Sequence, residues 1–468
     1  MIDSYVLKFI ESWAAKEGNV NTTESILEWI AARTRDIHVN IKRNKLSDSG
    51  FWFWDDKTGY ITNKKKAFFS IRGIKSYDAD KFISEQPILL QDEIGYLGII
   101  VKEIDGVFNF LMQAKIEPGN INNIQISPTI QATRSNFLQL HEGSKPLYLD
   151  YFLNACNHEI IVDQIQSEQS SRFFKKRNRN IIIKVNEEIE VSPNHKWMTL
   201  GQLKLLMKHD NLINMDTRTV ISCLPVCTDN ITPATKANID KVINDKPLFK
   251  SIFDAANNRE IYRIYNGINN AKMFDNTRHE FCRLDELKSW QVSDYEIFCK
   301  EKSNFKVIFC DIEIEGREVS HWTQPLFMST GEALFGLLQA DIDGKTKFLI
   351  KLKPEIGCFD TLELGPTIQK EYAELTNSDN QTDDIEAFFM DSMRSKSGIL
   401  CDVMLSEEGG RFYHEQNRNV IIKADYKDIP ALPEGYYWLD YSSLNRMVQY
   451  NNVLNIQLRN LISLLEVN

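Results

Sequence analysis

The sequence predicts a mixed α/β protein in which leading helices precede two copies of one domain. Three observations carry this. The first 45 residues show helical periodicity, the following region alternates short β-rich runs with turn signals, and a long set of motifs returns some 238 to 241 positions later. At 468 residues the chain is long enough for two or three domains.

In chain order, Ile2, Val6, Phe9, Ile10 and Trp13 recur on one helical face, and Asn21-Thr22-Thr23-Glu24-Ser25 opens a second helix over 26–32. Such helices pack on the domain that follows or on a partner subunit. Residues 51–54 (Phe-Trp-Phe-Trp), 60–62 and 68–71 read as short strands, the first two joined by a turn at 56–59. The apolar run 95–101 and the run 108–115 flank Asp105-Gly106, a hairpin signal. A strand over 124–126, a helix near 148–154, a strand over 181–185 and a helix over 199–209 complete the first copy. In the second copy Gln324-Pro325 answers Gln86-Pro87, Asp343-Gly344 answers Asp105-Gly106, Gly365-Pro366-Thr367-Ile368-Gln369 answers Ser127-Pro128-Thr129-Ile130-Gln131, and Arg459 answers Arg218. Two copies at this period describe a duplicated domain, since solenoid repeats are far shorter. The joint falls in the turn-rich stretch 225–250, which divides the chain into 1–228 and 229–468.

Composition narrows the function. A hydrophobic fraction of 43% and a charged fraction of 26% are those of a globular protein. The net charge of −10 disfavours a nucleic-acid partner, which wants a broad basic surface. The N-terminus lacks the charged and apolar regions of a signal peptide, and no apolar run reaches membrane-spanning length, so a cytoplasmic protein without membrane contact is expected. The eight cysteines are scattered and read as reduced thiols.

Several motifs are excluded. Gly344-Lys345-Thr346 resembles the end of a phosphate-binding loop, but Gln339 stands where that loop needs glycine. No Gly-x-Gly-x-x-Gly, His-Glu-x-x-His or Gly-x-Ser-x-Gly occurs, so no nicotinamide cofactor, metal or serine nucleophile is expected. The Phe-Trp-Phe-Trp run reads as core rather than as a stacking platform.

The charge pattern points to an anion. Arg172, Lys175, Lys176, Arg177 and Arg179 lie within eight residues, and the second copy keeps the frame (Ser-Glu, Arg-Phe, Asn-Arg-Asn) but holds His414, Glu415 and Gln416 in place of Lys175, Lys176 and Arg177. The cluster is either a solvated basic face or a set of forks and point charges for a diphosphate. Arg134 and Arg218 are further candidates for that task. Asn214, Asp216 and Arg218 either open a capped helix or form a sugar-hydroxyl pocket.

Assembled, the segments QPILLQDEIGYLGIIV (86–101), FLMQAKIEPGNINNIQISPTIQATRSN (110–136), QSEQSSRFFKKRNRN (166–180) and TLGQLKLLMKHDNLINMDTRTVIS (199–222) resemble the NDP-hexose 2,3-dehydratases of deoxysugar biosynthesis over nearly the whole chain. The resemblance implies two tandem Nudix-like α/β/α domains, a homodimer and a dTDP-linked 4-keto-6-deoxyhexose as substrate. It also implies two sugar nucleotides per subunit, one in a working site and one in a relic pocket, and a downstream ketoreductase or aminotransferase. The Nudix box for magnesium is absent, and the elimination needs no cofactor. The catalytic candidates are Glu168 and Glu117 as bases, Tyr148 and Tyr151 as acids or bases, and Lys115 on the enolate. The binding candidates are Gln131, Thr133, Arg134, Ser135, Asn136, Arg172, Lys176, Arg177, Asn178, Arg179, Asn214, Asp216 and Arg218. Because the second copy has lost cations, catalysis is expected in the first, with the second a scaffold or vestigial pocket. The rival expectations are a non-catalytic sugar-nucleotide sensor and an RNA-binding protein.

Overall fold

The computed structural model describes residues 2–134, 145–227, 231–315, 319–377 and 383–467. Its frame is two large mixed sheets of the same topology. In the first half the strands run Glu159–Ser167, Arg177–Lys184, Gly95–Ile104, Val107–Ile116 and His195–Thr199. Ile124–Ser127 adds to Val107–Ile116, and Ile130–Ala132 to Gly95–Ile104. In the second half Ile399–Ser406, Gln416–Lys423, Leu334–Ile342 and Lys345–Pro354 repeat the order. Each sheet contains one parallel pair, Arg177–Lys184 beside Gly95–Ile104 and Gln416–Lys423 beside Leu334–Ile342.

Local sequence explains these elements. Leu97, Ile99, Ile100 and Val101 are covered on both faces, which is why the run is continuously apolar rather than alternating. Asp105 and Gly106 both take positive φ, as do Asp343 and Gly344, so the two hairpins close through the tight turn that Asp-Gly favours. The leading helices are Ile2–Ala14 and Thr23–Asp36, the latter capped by Thr22. Val6, Phe9, Ile10 and Trp13 are buried, and Phe9 meets Phe108 edge-on at 5.3 Å, so the first helix packs on its own domain's sheet.

Several boundaries differ from the sequence reading. The helical stretch expected over the first 45 residues ends at Asp36, and Val39–Arg43 is a strand. The helix expected over 199–209 is Leu200–Leu206. The strand expected over 68–71 begins at Ser70, because Phe68 takes a left-handed backbone, φ 69°, that no strand accommodates. The strand expected from Ile181 begins at Arg177, so the cationic segment itself pairs with Glu159–Ser167.

The halves exchange strands. A smaller sheet built from Trp52–Asp55, Tyr60–Asn63, Ser70–Asp78 and Lys81–Leu90 accepts Thr277–Cys282 from the second half. Its counterpart, containing Glu296–Cys299, Phe305–Ile314 and His321–Ser329, accepts Val39–Arg43 from the first. Val39 and Thr277 are themselves repeat-related, so the exchange is reciprocal. Loops cross too. Gly119 donates its N–H to Gly409 O (2.7 Å) and accepts from the His414 N–H (2.8 Å), while Gly357 stands in the same relation to Ser170 and Lys175. A Cβ on Gly119 would lie 1.6 Å from Phe412 O, so the crossing requires glycine. Helices Met215–Ser222 and Ile456–Ser463 pack together between the halves.

No helix among the described residues is long and apolar enough to cross a membrane. None of the eight cysteines forms a disulfide.

Candidate active site

A cavity of about 830 Å³ opens in the first half, within the size range of small-ligand sites. Its floor is the turn from Val107–Ile116 into Glu117-Pro118. Lys115 Nζ lies 3.3 Å from Glu117 Oε1 and donates to Gln131 O at 3.4 Å. Gln131 Nε2 donates to Glu117 Oε1 (2.9 Å), and Asn214, which caps the helix Met215–Ser222, donates to Gln131 Oε1 (3.2 Å). Beside them Asn178 Nδ2 donates to Glu168 Oε1 (2.6 Å). Among the described residues Glu168 Oε2 and Asp216 Oδ1 are buried without a hydrogen-bond partner. Phe51, Trp52, Phe68 and Phe69 form an aromatic wall. Trp52 also sits in the adjoining apolar core, whereas Phe53 is exposed, so the expectation of core holds for part of the Phe-Trp-Phe-Trp run, and Phe51 and Trp52 also line the cavity.

Charge is concentrated here. Burial raises the Glu168 carboxyl above its usual range, against the pull of Lys176 and Arg459. Burial and the facing Glu168, Glu408 and Glu117 hold Asp216 well above the carboxylate range. Burial brings Lys176 down to about 8 and, reinforced by Glu117, takes Glu408 up to about 7. Lys176 and Glu408, brought to about 8 and about 7, exchange protons near neutrality.

Of the residues expected from sequence, Glu168, Lys115, Glu117, Gln131, Thr133, Lys176, Asn178 and Asp216 line this cavity. Ser135 and Asn136 lie outside the described residues. Tyr148 and Tyr151 are placed elsewhere: the Tyr148 hydroxyl donates to Glu190 O and accepts from Ser192 N–H, and Tyr151 packs on His158. Arg134 is exposed and is not a lining residue, although its neighbour Thr133 is.

The basic cluster is dispersed rather than gathered. Arg179 forms a bidentate pair with Asp163 (2.6 Å each), repeated by Arg418 and Asp402, and Arg177 stacks on Phe359 at 3.7 Å. Arg218 is fully buried and donates to Ile213 O and Ser406 O, as Arg459 does to Leu454 O and Ser167 O, so this pair pins the halves together. Arg172 corrects the sequence reading most. It crosses into the second half, stacks on Phe305, and pairs with Glu371 (2.9 Å) and Glu415 (4.0 Å). Its counterpart Arg411 crosses the other way, stacks on Phe69 and lines the first-half cavity.

Sequence reasoning missed Arg411, Glu408 and the second-half segment His321, Trp322, Thr323 and Gln324, all of which line the cavity. One signal pointed to Glu408: it stands in the repeated frame where the first copy has Gln169. The second-half equivalents of the floor are Lys353, Glu355, Gln369, Glu407 and Asn417, with the same hydrogen bonds. What differs is Glu415 for Lys176, Gln457 for Asp216, Gln169 for Glu408 and Glu371 for Thr133.

A duplicated α/β protein with a lysine–carboxylate cavity in one half, and a depleted copy in the other, defines the class. Its sequence matches the profile of the NDP-hexose 2,3-dehydratases twice, over residues 23–224 and 262–465, and the chain belongs to that family. It is 35% identical over 461 residues to a dTDP-4-dehydro-6-deoxy-alpha-D-glucopyranose 2,3-dehydratase of Saccharopolyspora spinosa, covering 97% of this chain and 94% of that one. Proteins of the same description from Streptomyces violaceoruber (32% identity, 95% and 97% coverage) and Amycolatopsis orientalis (33%, 98% and 93%) are similarly close.

Proposed function

We propose that this protein removes the C2 hydroxyl of dTDP-4-keto-6-deoxyglucose as water, giving the dTDP-3,4-diketo-2,6-dideoxy sugar. The carrying observation is the cavity in which Lys115, Glu117, Gln131 and Glu168 meet. The C4 ketone acidifies the C3 proton. Glu168, one oxygen tied by Asn178 and the other without a partner among the described residues, takes that proton. The electrons of the C3–H bond form an enolate whose oxygen Lys115 stabilises, positioned by Glu117 and Gln131 O. The enolate then collapses, restoring C4=O, forming C2=C3 and releasing the C2 oxygen. The C3 enol tautomerises to the diketone. No hydride moves, so the reaction balances without a redox cofactor.

Lys176 and Arg411 supply positive charge for the diphosphate, the aromatic wall takes the thymine, and Asp216 reaches the sugar hydroxyls. The repeated mixed sheet with its parallel pair supports a Nudix-like unit in each half, and the break in the family match between 224 and 262 supports a joint near 228. Exposed Tyr262, Met273 and Phe274 on and beside one helix support a homodimer, which sedimentation would detect. We place the protein in the cytoplasm, acting before a ketoreductase or aminotransferase that consumes the reactive diketone.

The test incubates purified protein with the 4-keto substrate in deuterated water, followed by a ketoreductase. The product should be lighter by one oxygen at C2 and carry deuterium there. An unchanged substrate without C3 exchange would leave the non-catalytic binder as the better reading.

A further inference from the structure

The second half contributes a loop to the first-half cavity, and the first half contributes the equivalent loop to the second half's buried cluster, so residues at equivalent loop positions face opposite halves. Glu408 belongs by sequence to the second copy but lines the first-half cavity, and its repeat partner Gln169 faces the second-half cluster, donating to Glu415 Oε1 at 3.5 Å. The loop is fixed by the Gly119 crossing, and Gly410 N–H donates to Glu408 Oε1 at 3.1 Å, which orients the carboxyl. Glu408 faces Lys115 and Glu117 on the floor, Glu168 and Lys176 beside it, Asp216 on the interdomain helix and Arg411 on its own loop. Unlike Asp216, which is 2% exposed, Glu408 keeps part of its surface open to the cavity.

Resting on the dehydratase reading, we propose that Glu408 is the acid that protonates the departing C2 hydroxyl, so the second half completes the first half's active site. The proton passes from the Glu408 carboxyl to the C2 oxygen as the C2–O bond breaks. The bonding electrons leave with oxygen, and water departs. The carboxylate left behind recovers its proton from water between turnovers. The second-half cluster holds an amide at this position and cannot perform the step. This exchange of Glu for Gln is one of the four that separate the two sites, whose floors otherwise share the same hydrogen bonds.

The experiment compares dTDP-4-keto-6-deoxyglucose with its 2-deoxy-2-fluoro analogue, whose fluoride leaves without an acid. With the hydroxyl substrate, Glu408→Gln should lower kcat by about 10²- to 10⁴-fold. It should still exchange the C3 proton into deuterated water, and the fluoro analogue should restore its rate to near wild type. Glu168→Gln should lose exchange and gain nothing from fluorine. Full turnover of Glu408→Gln, or fluoro rescue of Asp216→Asn instead, overturns the proposal. Should Glu408→Gln not fold, the wild type decides. An acid must hold its proton, so turnover of the hydroxyl substrate should fall as pH rises through about 7, the value to which burial brings Glu408, while turnover of the fluoro analogue should not. The same alkaline limb with both substrates overturns the assignment. Wild type inert toward both substrates would instead reject the dehydratase reading itself.

Discussion

Arg172 and Arg411 occupy the same place in the repeat but meet opposite surroundings. Arg172 is enclosed by Glu371 and Glu415 of the second half. Removing one member of a buried pair leaves the other charge uncompensated, so Arg172→Ala should lower stability by about 3–5 kcal/mol in denaturant titration. Arg411→Ala should instead fold and raise KM, by about 10- to 100-fold for one charge-assisted contact worth roughly 1.5–3 kcal/mol. The buried carboxyls of the second half add a pH signature. Burial raises Glu355 to about 7 and Glu363 to about 8, against a usual value of 4.5. Between those limits the folded state holds protons that the unfolded state has released, so stability is greatest at the acid end and declines as pH rises from 4.5 to 8. Melting temperature against pH should show this slope, and Glu363→Gln should flatten it. A Tm that rises over this interval would contradict the sign.

At the scale of elements, the sequence made the repeat legible because hairpin and helix-cap signals are local. Asp105-Gly106, Asp343-Gly344 and the Thr199 and Asn214 caps are each fixed by residues a few positions apart. What sequence could not show was which copy a loop serves. Val39 reaches Ile314 and Arg411 reaches Phe69 through the three-dimensional exchange of strands and loops, and no periodicity records such pairings. The same limit misplaced Arg172 and turned the basic cluster into one site. Only Arg177 and Arg179 lie on the strand; Arg172, Lys175 and Lys176 precede it in the loop that crosses to the other half, where Lys175 takes a left-handed backbone and donates its N–H to Gly357 O. The crossing at Gly119 is the element on which the site depends. Gly119→Ala sets a Cβ against backbone at Phe412 O, which cannot yield like a flexible side chain. It should displace the loop bearing Glu408, and turnover should fall by more than stability does, read by kcat beside a thermal melt.

For the whole molecule, the exchange makes the halves interdependent. Residues 1–228 alone lack strand Thr277–Cys282, Arg411 and Glu408, and should be inactive until residues 229–468 are supplied. Co-expression should recover turnover. The shared floor nevertheless gives a direct comparison, because Lys115 and Lys353 make the same contacts with Gln131 O and Gln369 O, each at 3.4 Å. The central claim is that one working site, in the first half, carries the elimination. The measurement that tests it most directly is turnover of Lys115→Met beside Lys353→Met. Loss of an enolate donor should lower kcat for Lys115→Met by about 10²- to 10³-fold, while Lys353→Met stays within a small factor of wild type. Equal losses, or a loss confined to Lys353→Met, would contradict it.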